Sequence, residues 1–440
     1  MSDQTPKQAA DSRRDFLKHS AVAGSTLAAM SVPQYVHAAG ADETIRVGLV
    51  GCGGRGTQAA EQALKAEPNA RLVAMGDAFL DRAKYSRDEL AAKRSVRDQV
   101  NVPDEMVFAD FDNFKHVTDA VDVVLLATPP HFRPEHFRYA VEQGKHCFVE
   151  KPVAVDAPGV RHVMESCQMA EEKGLSVVSG LCWRYAPPVR AVMQQILEEG
   201  LIGDVVAVES HYNSGELWHR GDKSDWSRME YQMRNWLYYT WLSGDHIAEQ
   251  AIHSLDKCAW LFGDAAPTQV MSIGGRQQRT AEKYGNVYDH FTVFYDFPSG
   301  QKAFFTCRQQ DGCSKVVNER VLGTKGQASI LDGHFIVDGN GKEIWRYKGP
   351  KPNMWQQEHI EMFQALRDGK VINNGHYMCN STMMSVAGRM AGYTGQTLDW
   401  ETCLNDTERL GPAEYAWTDV PEPPVAMPGR TKLAGTVAQG

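Results

Sequence analysis

The sequence predicts an α/β protein whose N-terminal half is a doubly wound parallel sheet. An apolar run at 45–50 leads straight into Gly51-Cys52-Gly53-Gly54-Arg55-Gly56. Further apolar runs at 71–76, 121–127, 145–149 and 175–179 alternate with stretches of helical length. The run at 121–127 reads as a parallel strand covered on both faces.

The first strand ends in a Gly-x-Gly-x-x-Gly turn. Gly51 permits the tight turn, Gly53 lets the backbone approach a pyrophosphate, and Gly56 lets the next helix pack on the strand. That helix is expected from about Thr57, with its N-terminal amides facing phosphate oxygens. The second strand ends at Asp77, the spacing at which an acid meets an adenosine ribose. A carboxylate there accepts from the 2′- and 3′-hydroxyls and repels a 2′-phosphate. NAD is therefore the expected cofactor, with NADP left open. Arg82 is expected along the adenine or on a phosphate, or else as a solvated helix charge.

The strand at 121–127 runs into Thr128-Pro129-Pro130-His131, at the sheet edge where ligands bind in doubly wound folds. A helix over 136–143 stops at Gly144. The strand at 145–149 meets Glu150-Lys151-Pro152. A helix over about 157–173 and the strand at 175–179 complete the pattern.

The first 38 residues read as a targeting segment. Arg13-Arg14 precedes a mildly apolar stretch, 21–32, and a small-residue cleavage site at Val36-His37-Ala38. The expectation is twin-arginine export to the periplasm as a folded protein. The apolar stretch is too short and too polar to span a bilayer. The whole chain carries a formal charge of −9, which offers no general attraction to nucleic acid. Nine scattered cysteines without a Cys-x-x-Cys indicate buried thiols rather than a zinc site or a disulfide framework.

At Glu150-Lys151-Pro152 a resemblance becomes specific. With the glycine turn, the Ala127–His131 edge and Trp183-Arg184-Tyr185, the chain resembles the glucose–fructose oxidoreductase / inositol dehydrogenase / MocA (Gfo/Idh/MocA) family over about residues 43–400. The resemblance implies an NAD(P)-binding Rossmann domain over 43–180. It also implies a second α/β domain over 181–400, with an open, mostly antiparallel sheet that often forms a subunit interface. It adds Gly54, Arg55, Thr128, Pro129 and His131 to the cofactor site, together with Glu150, Trp183 and Arg184. Lys151 is implied to touch both the nicotinamide ribose and the substrate. Tyr185 is implied at the substrate.

The second half has a different texture. Trp218, Trp226, Tyr231, Trp236, Tyr238, Tyr239 and Trp241 are mixed with Arg220, Asp222, Arg228, Arg234 and Asn235. Aromatic faces beside forked hydrogen-bonding groups suit a sugar ring, so Arg234, Asn235 and Trp236 are expected at the substrate. In the segment 243–256, Glu249 and His253 are four apart and share a face if the segment is one helix. The family usually carries Asp-x-Gly-x-His-x-x-Asp here; this chain has Glu249 for the first acid and Ala251 for the glycine. His253 is the expected general base, because an imidazole titrates near working pH. His246 joins the substrate set. His246, Glu249 and His253 also have a spacing that suits a divalent metal, but the family pattern accounts for two of them without one, so no metal is expected. A hairpin is expected over 289–307, and helices over 357–367 and 381–393. Residues 401–440 are expected to form an extended arm that wraps a neighbouring subunit.

The expected function is that of an exported NAD(P)-dependent oxidoreductase acting on a secondary alcohol of a sugar, glycoside or polyol. A periplasm is not expected to hold a free NAD pool, so the cofactor is expected to be tightly bound and recycled. Two alternatives stand: a redox-neutral glycosidase working by oxidation, elimination and reduction, and a non-catalytic sugar-binding protein. The expected partners are the small-molecule substrate, the twin-arginine export machinery and further copies of the chain.

Overall fold

Apolar runs form five strands of the first sheet close to where the pattern places them, and a sixth, over 107–109, falls where no strand is expected. In the computed structural model, which describes residues 43–433, these are β1 Ile45–Val50, β2 Ala70–Asp77, β3 Val107–Ala109, β4 Val123–Leu126, β5 His146–Val149 and β6 Val177–Ser179. Their order is β3-β2-β1-β4-β5-β6, and every pair is parallel. Val47, Leu49, Leu125 and Leu126 are fully buried, because helices cover both faces. Those helices are α1 Gly54–Ala66, α2 Leu80–Ala92, α3 Asn113–Asp119, α4 Arg133–Glu142 and α5 Ala157–Glu172. The order reverses between β1 and β4, so the carboxyl ends of these strands open a crevice.

The second sheet has nine strands. In chain order they are β7 Val205–Ser214, β8 Gln269–Gly275, β9 His290–Asp296, β10 Lys302–Gln309 and β11 Val316–Gly323, then β12 Gly326–Ser329, β13 Phe335–Asp338, β14 Glu343–Arg346 and β15 Leu398–Asp399. Across the sheet they run β14-β13-β12-β11-β7-β10-β9-β8-β15. All neighbours are antiparallel except β7 and β10. Alternation puts Phe291, Val293 and Tyr295 of β9 in the core. Val206, Ile273 and Phe304 stand exposed on strands of the same sheet.

The remaining helices are α6 Pro187–Leu197, α7 Arg228–Arg234, α8 Thr240–Ser243, α9 His246–Glu249, α10 Ile252–Leu261, α11 Met354–Arg367, α12 Gly375–Thr394 and α13 Trp400–Leu404. α10 and α12 cover the second sheet, while α11 returns to pack on α1. Arg367 pairs with Glu67 at 2.9 Å, fixing that return. Among the described residues all nine cysteines are free thiols, and eight are buried. No described helix is long and apolar enough to cross a membrane. The targeting segment expected over 1–38 lies outside the described residues.

The C-terminal segment packs on its own chain. Residues 405–433 form no helix or strand, and they run along their own chain rather than away from it. The Leu410 amide donates to Asp156 at 2.9 Å, Arg228 pairs with Glu422 at 2.5 Å, and the Tyr288 hydroxyl donates to the Ala426 carbonyl at 2.9 Å.

Buried histidines make stability sensitive to acid. His136 stacks on Phe114 at 4.1 Å, and burial pushes its imidazole down to about 3. Burial likewise pushes His131 down to about 4 and His359 well below its usual value. Below about pH 6.5 the unfolded chain protonates these rings and the folded chain does not. Stability therefore falls as pH drops through 6.5. The Tm is expected to decline from pH 7 to pH 5, and a flat profile would contradict neutral burial.

Candidate active site

The glycine turn leaves no room for side chains where the backbone closes. Gly51 sits at φ +93°, and a Cβ there would lie 2.5 Å from the Thr128 amide nitrogen. A Cβ on Gly56 would lie 1.9 Å from the Gly51 carbonyl oxygen. Gly53 is the N-cap of α1 and makes no side-chain cap, so the first amides of α1 face the crevice. Together these form a cradle for phosphate oxygens.

A cavity of about 310 Å³ opens from this turn. Gly51, Gly53, Gly54, Arg55, Gly56, Asp77, Arg82, Thr128 and Pro129 line one side. Trp218, Arg220, Met233, Trp236 and Glu249 line the other. The Asp77 carboxylate accepts from the amides of Cys52 at 2.7 Å and Phe79 at 3.0 Å. Burial raises its pKa and these amides oppose the rise. Each oxygen keeps a lone pair for a ribose hydroxyl. A backbone cradle, a helix N-terminus and an acid at the end of β2 fit a dinucleotide. Asp77→Ala is expected to weaken NAD binding by about 1–3 kcal/mol and to relax discrimination against NADP, read by titrating both cofactors. A variant with unchanged preference would remove Asp77 from the ribose.

The far end of the cavity brings three expected residues together, although only Glu249 lines its wall. Lys151 follows β5, and its Nζ donates to the Glu249 backbone carbonyl. In an unbroken helix that carbonyl would receive the His253 amide. Here the chain breaks at Gln250 and Ala251, between α9 and α10. Glu249 and His253 therefore do not share one helix, contrary to the spacing argument. The Glu249 Oε2 and the His253 Nδ1 are buried and without a partner among the described residues. Burial pushes the His253 imidazole well below its usual value, and the nearby charges of Lys151, Lys257 and Arg55 push it further. It is neutral at pH 7, the state a base requires. Lys257 donates to the His253 carbonyl at 2.8 Å and pairs with buried Glu319 at 3.3 Å.

Several expected residues are occupied elsewhere. Arg184 is buried against Asp256 at 2.9 Å and Asp264 at 2.5 Å. The Tyr185 hydroxyl donates to Asn374 at 2.8 Å inside the core. His246 is fixed between Asp245 at 2.8 Å and the Cys307 sulfur at 3.4 Å. His131 bonds Tyr415 of the arm at 2.7 Å. Glu150 is buried under Arg55 at 2.5 Å, and Arg55 also reaches Glu358 at 3.1 Å. One guanidinium serves two carboxylates: it holds Glu150 below the usual carboxylate range, while burial raises Glu358. Trp183 lies under Lys257. Arg234 lies over Phe79 and pairs with Glu230 at 2.7 Å. Asn235 is fully buried, with both ends of its amide bonded to backbone. None of these residues except Arg55 lines the cavity. Trp236 lines it. Among the described residues no three His, Cys, Asp or Glu side chains are grouped to hold a metal ion. Phe79, Phe111 and Phe132 also line the cavity, and no motif in the sequence marks them. The only signal was Phe79, two residues after Asp77.

Residues 45–181 match the oxidoreductase family with an NAD-binding Rossmann fold, GFO/IDH/MocA. Residues 191–329 match the GFO/IDH/MocA C-terminal domain. The chain is 28% identical to the 2,7-anhydro-N-acetylneuraminate hydratase of Escherichia coli K12 over 42% of its own length and 44% of that protein's, so it spans less than half of this relative. It is 26% identical to the inositol 2-dehydrogenase of Rubrobacter xylanophilus over 68% of this chain and 76% of that one. The crystal structure of aldose-aldose oxidoreductase from Caulobacter crescentus, complexed with glycerol, has the same fold. The TM-score is 0.61 at 20% identity, over 81% of this chain and all of that chain.

Proposed function

Because the chain belongs to the GFO/IDH/MocA oxidoreductase family, we propose that it oxidises a secondary alcohol of a sugar, glycoside or polyol with NAD. The observation that carries this reading is the convergence of Lys151, after β5 of the first sheet, with Glu249 of α9 and His253 of α10, at the end of the dinucleotide cavity. Bound NAD supplies the hydride acceptor at C4 of its nicotinamide. Lys151 holds and polarises the substrate hydroxyl. His253, neutral and with a free ring nitrogen, takes its proton. The Trp218 and Trp236 faces exclude water and cover the ring. The test is the absorbance of the bound nicotinamide as sugars, glycosides and polyols are added. Reduction by one of them supports the reading; silence across the panel favours a non-catalytic binder.

A second reading draws on the relative named as a hydratase. A hydration changes no net oxidation state, so the hydride would return within one turnover. Product formation without accumulating NADH would identify it.

The reading includes a retained cofactor. Trp417 of the arm stacks on Phe111 at 4.7 Å and lies 5.1 Å from Phe79. Tyr415 lies 5.4 Å from Phe111 and 5.2 Å from Phe132. The arm thus supports the cavity wall from outside. Trp417→Ala is expected to speed NADH release several-fold to about tenfold, since an aromatic pair contributes about 0.5–1.5 kcal/mol. An unchanged release rate in stopped-flow fluorescence would detach the arm from retention. Export and self-association complete the reading. Changing Arg13 and Arg14 to Lys is expected to leave the protein in the cytoplasm with its leader uncleaved; normal periplasmic delivery would count against export by this route.

A further inference from the structure

Two guanidinium groups approach the same part of the cavity from opposite halves of the chain. Arg82 stands on α2, and its Nη1 lies 3.7 Å from the point a Cβ on Gly53 would occupy. It therefore overhangs the turn that receives phosphate. Arg220 follows β7 and lines the same cavity. Neither is ion-paired to a carboxylate among the described residues. The charge of Arg82 reaches the Asp77 carboxylate and opposes the rise that burial gives it.

The position of Arg220 is built. Its guanidinium lies over Trp218, 4.4 Å from the ring centre. Its amide donates to the Asn235 Oδ1 at 2.8 Å. The Asn235 Nδ2 donates to the carbonyls of Gly221 at 3.0 Å and Tyr231 at 3.1 Å. A fully buried amide thus pins the loop on both sides of Arg220. Desolvation and then the charge of Arg82 hold the Arg220 guanidinium below its usual value, so the two like charges sense one another. An anion between them removes that repulsion and gains charge-assisted hydrogen bonds.

We propose that Arg220 closes over the cofactor's 5′-pyrophosphate opposite Arg82, so that the second half of the chain supplies a phosphate ligand. Asn235 is the positioning residue for it. The 5′-pyrophosphate is favoured over a 2′-phosphate because Arg82 overhangs Gly53, while Asp77 occupies the ribose end and repels an anion there. The inference rests on the dinucleotide reading of the cavity.

The test adds NADH, ADP, 2′-AMP and adenosine to the purified full chain, equilibrated to exchange any resident cofactor. In Arg220→Ala, NADH and ADP are expected to bind about tenfold more weakly or worse, the scale of a hydrogen bond to a charged group. Adenosine should be unaffected. Arg220→Lys should recover part of the loss, and added salt should weaken the native chain more than Arg220→Ala. Equal losses for ADP and adenosine would show a displaced loop and overturn the proposal. A loss confined to 2′-AMP would move Arg220 to a 2′-phosphate and overturn it. Unchanged ADP and NADH affinities would overturn it too. A native chain that binds neither NADH nor ADP would instead overturn the dinucleotide reading itself.

Discussion

Alanine at Lys151 or at His253 is expected to leave the fold and the bound NAD in place, while slowing reduction of that NAD by on the order of 10²-fold or more, the scale for a positioned acid–base group. Lys151 Nζ is held on the Glu249 carbonyl, at the inner end of the cavity. Its removal takes away the ammonium held at that end. His253→Ala loses a ring whose Nδ1 has no partner among the described residues. Single-turnover absorbance is the measurement, because steady-state rates include product release. The pH profile adds an independent check. The His253 imidazole is depressed, so the native rate should stay level from about pH 6.5 upward and fall only in acid. If His253→Ala reduces its NAD at the native rate and Lys151→Ala does not, then Lys151 is the base and His253 orients the substrate. If both react normally, the chemistry is elsewhere.

Gly56→Ala is expected to abolish NAD binding, by on the order of 10²-fold at least. The added Cβ would sit 1.9 Å from the Gly51 carbonyl oxygen, a contact with backbone that no rotamer relieves. Either α1 moves off β1 or the turn opens, and both displace the amides that face phosphate. Gly54→Ala is the informative control. A Cβ there meets no protein atom within 4 Å, so any loss it shows reports contact with the cofactor itself. Titration with NADH, alongside circular dichroism to confirm the fold, distinguishes the two. Native affinity in Gly56→Ala would mean that the turn does not cradle the pyrophosphate.

The sequence by itself determined five of the six strands of the first sheet, the glycine turn and the acid at Asp77. These are legible because they depend on neighbouring residues: apolar periodicity sets strands, and the Gly51–Gly53–Gly56 spacing sets a turn that few other sequences can make. Lys151 was legible through its motif, and its place at the end of β5 agrees with that motif. Long-range pairing decided the rest. The segment in which Glu249 and His253 would share a face as one helix is two helices, and the carbonyl at the break is taken by Lys151, distant in sequence. Arg184, Tyr185, Asn235 and His246 looked like site chemistry, yet Asp256, Asn374, Gly221 and Asp245 hold their polar groups. The packing of Trp417 on Phe111 joins residues more than 300 apart in the sequence. A residue's type states which hydrogen bonds and charges it can offer. Which partner accepts them is decided only when the chain closes, because a buried polar group must be satisfied by whatever folding brings beside it.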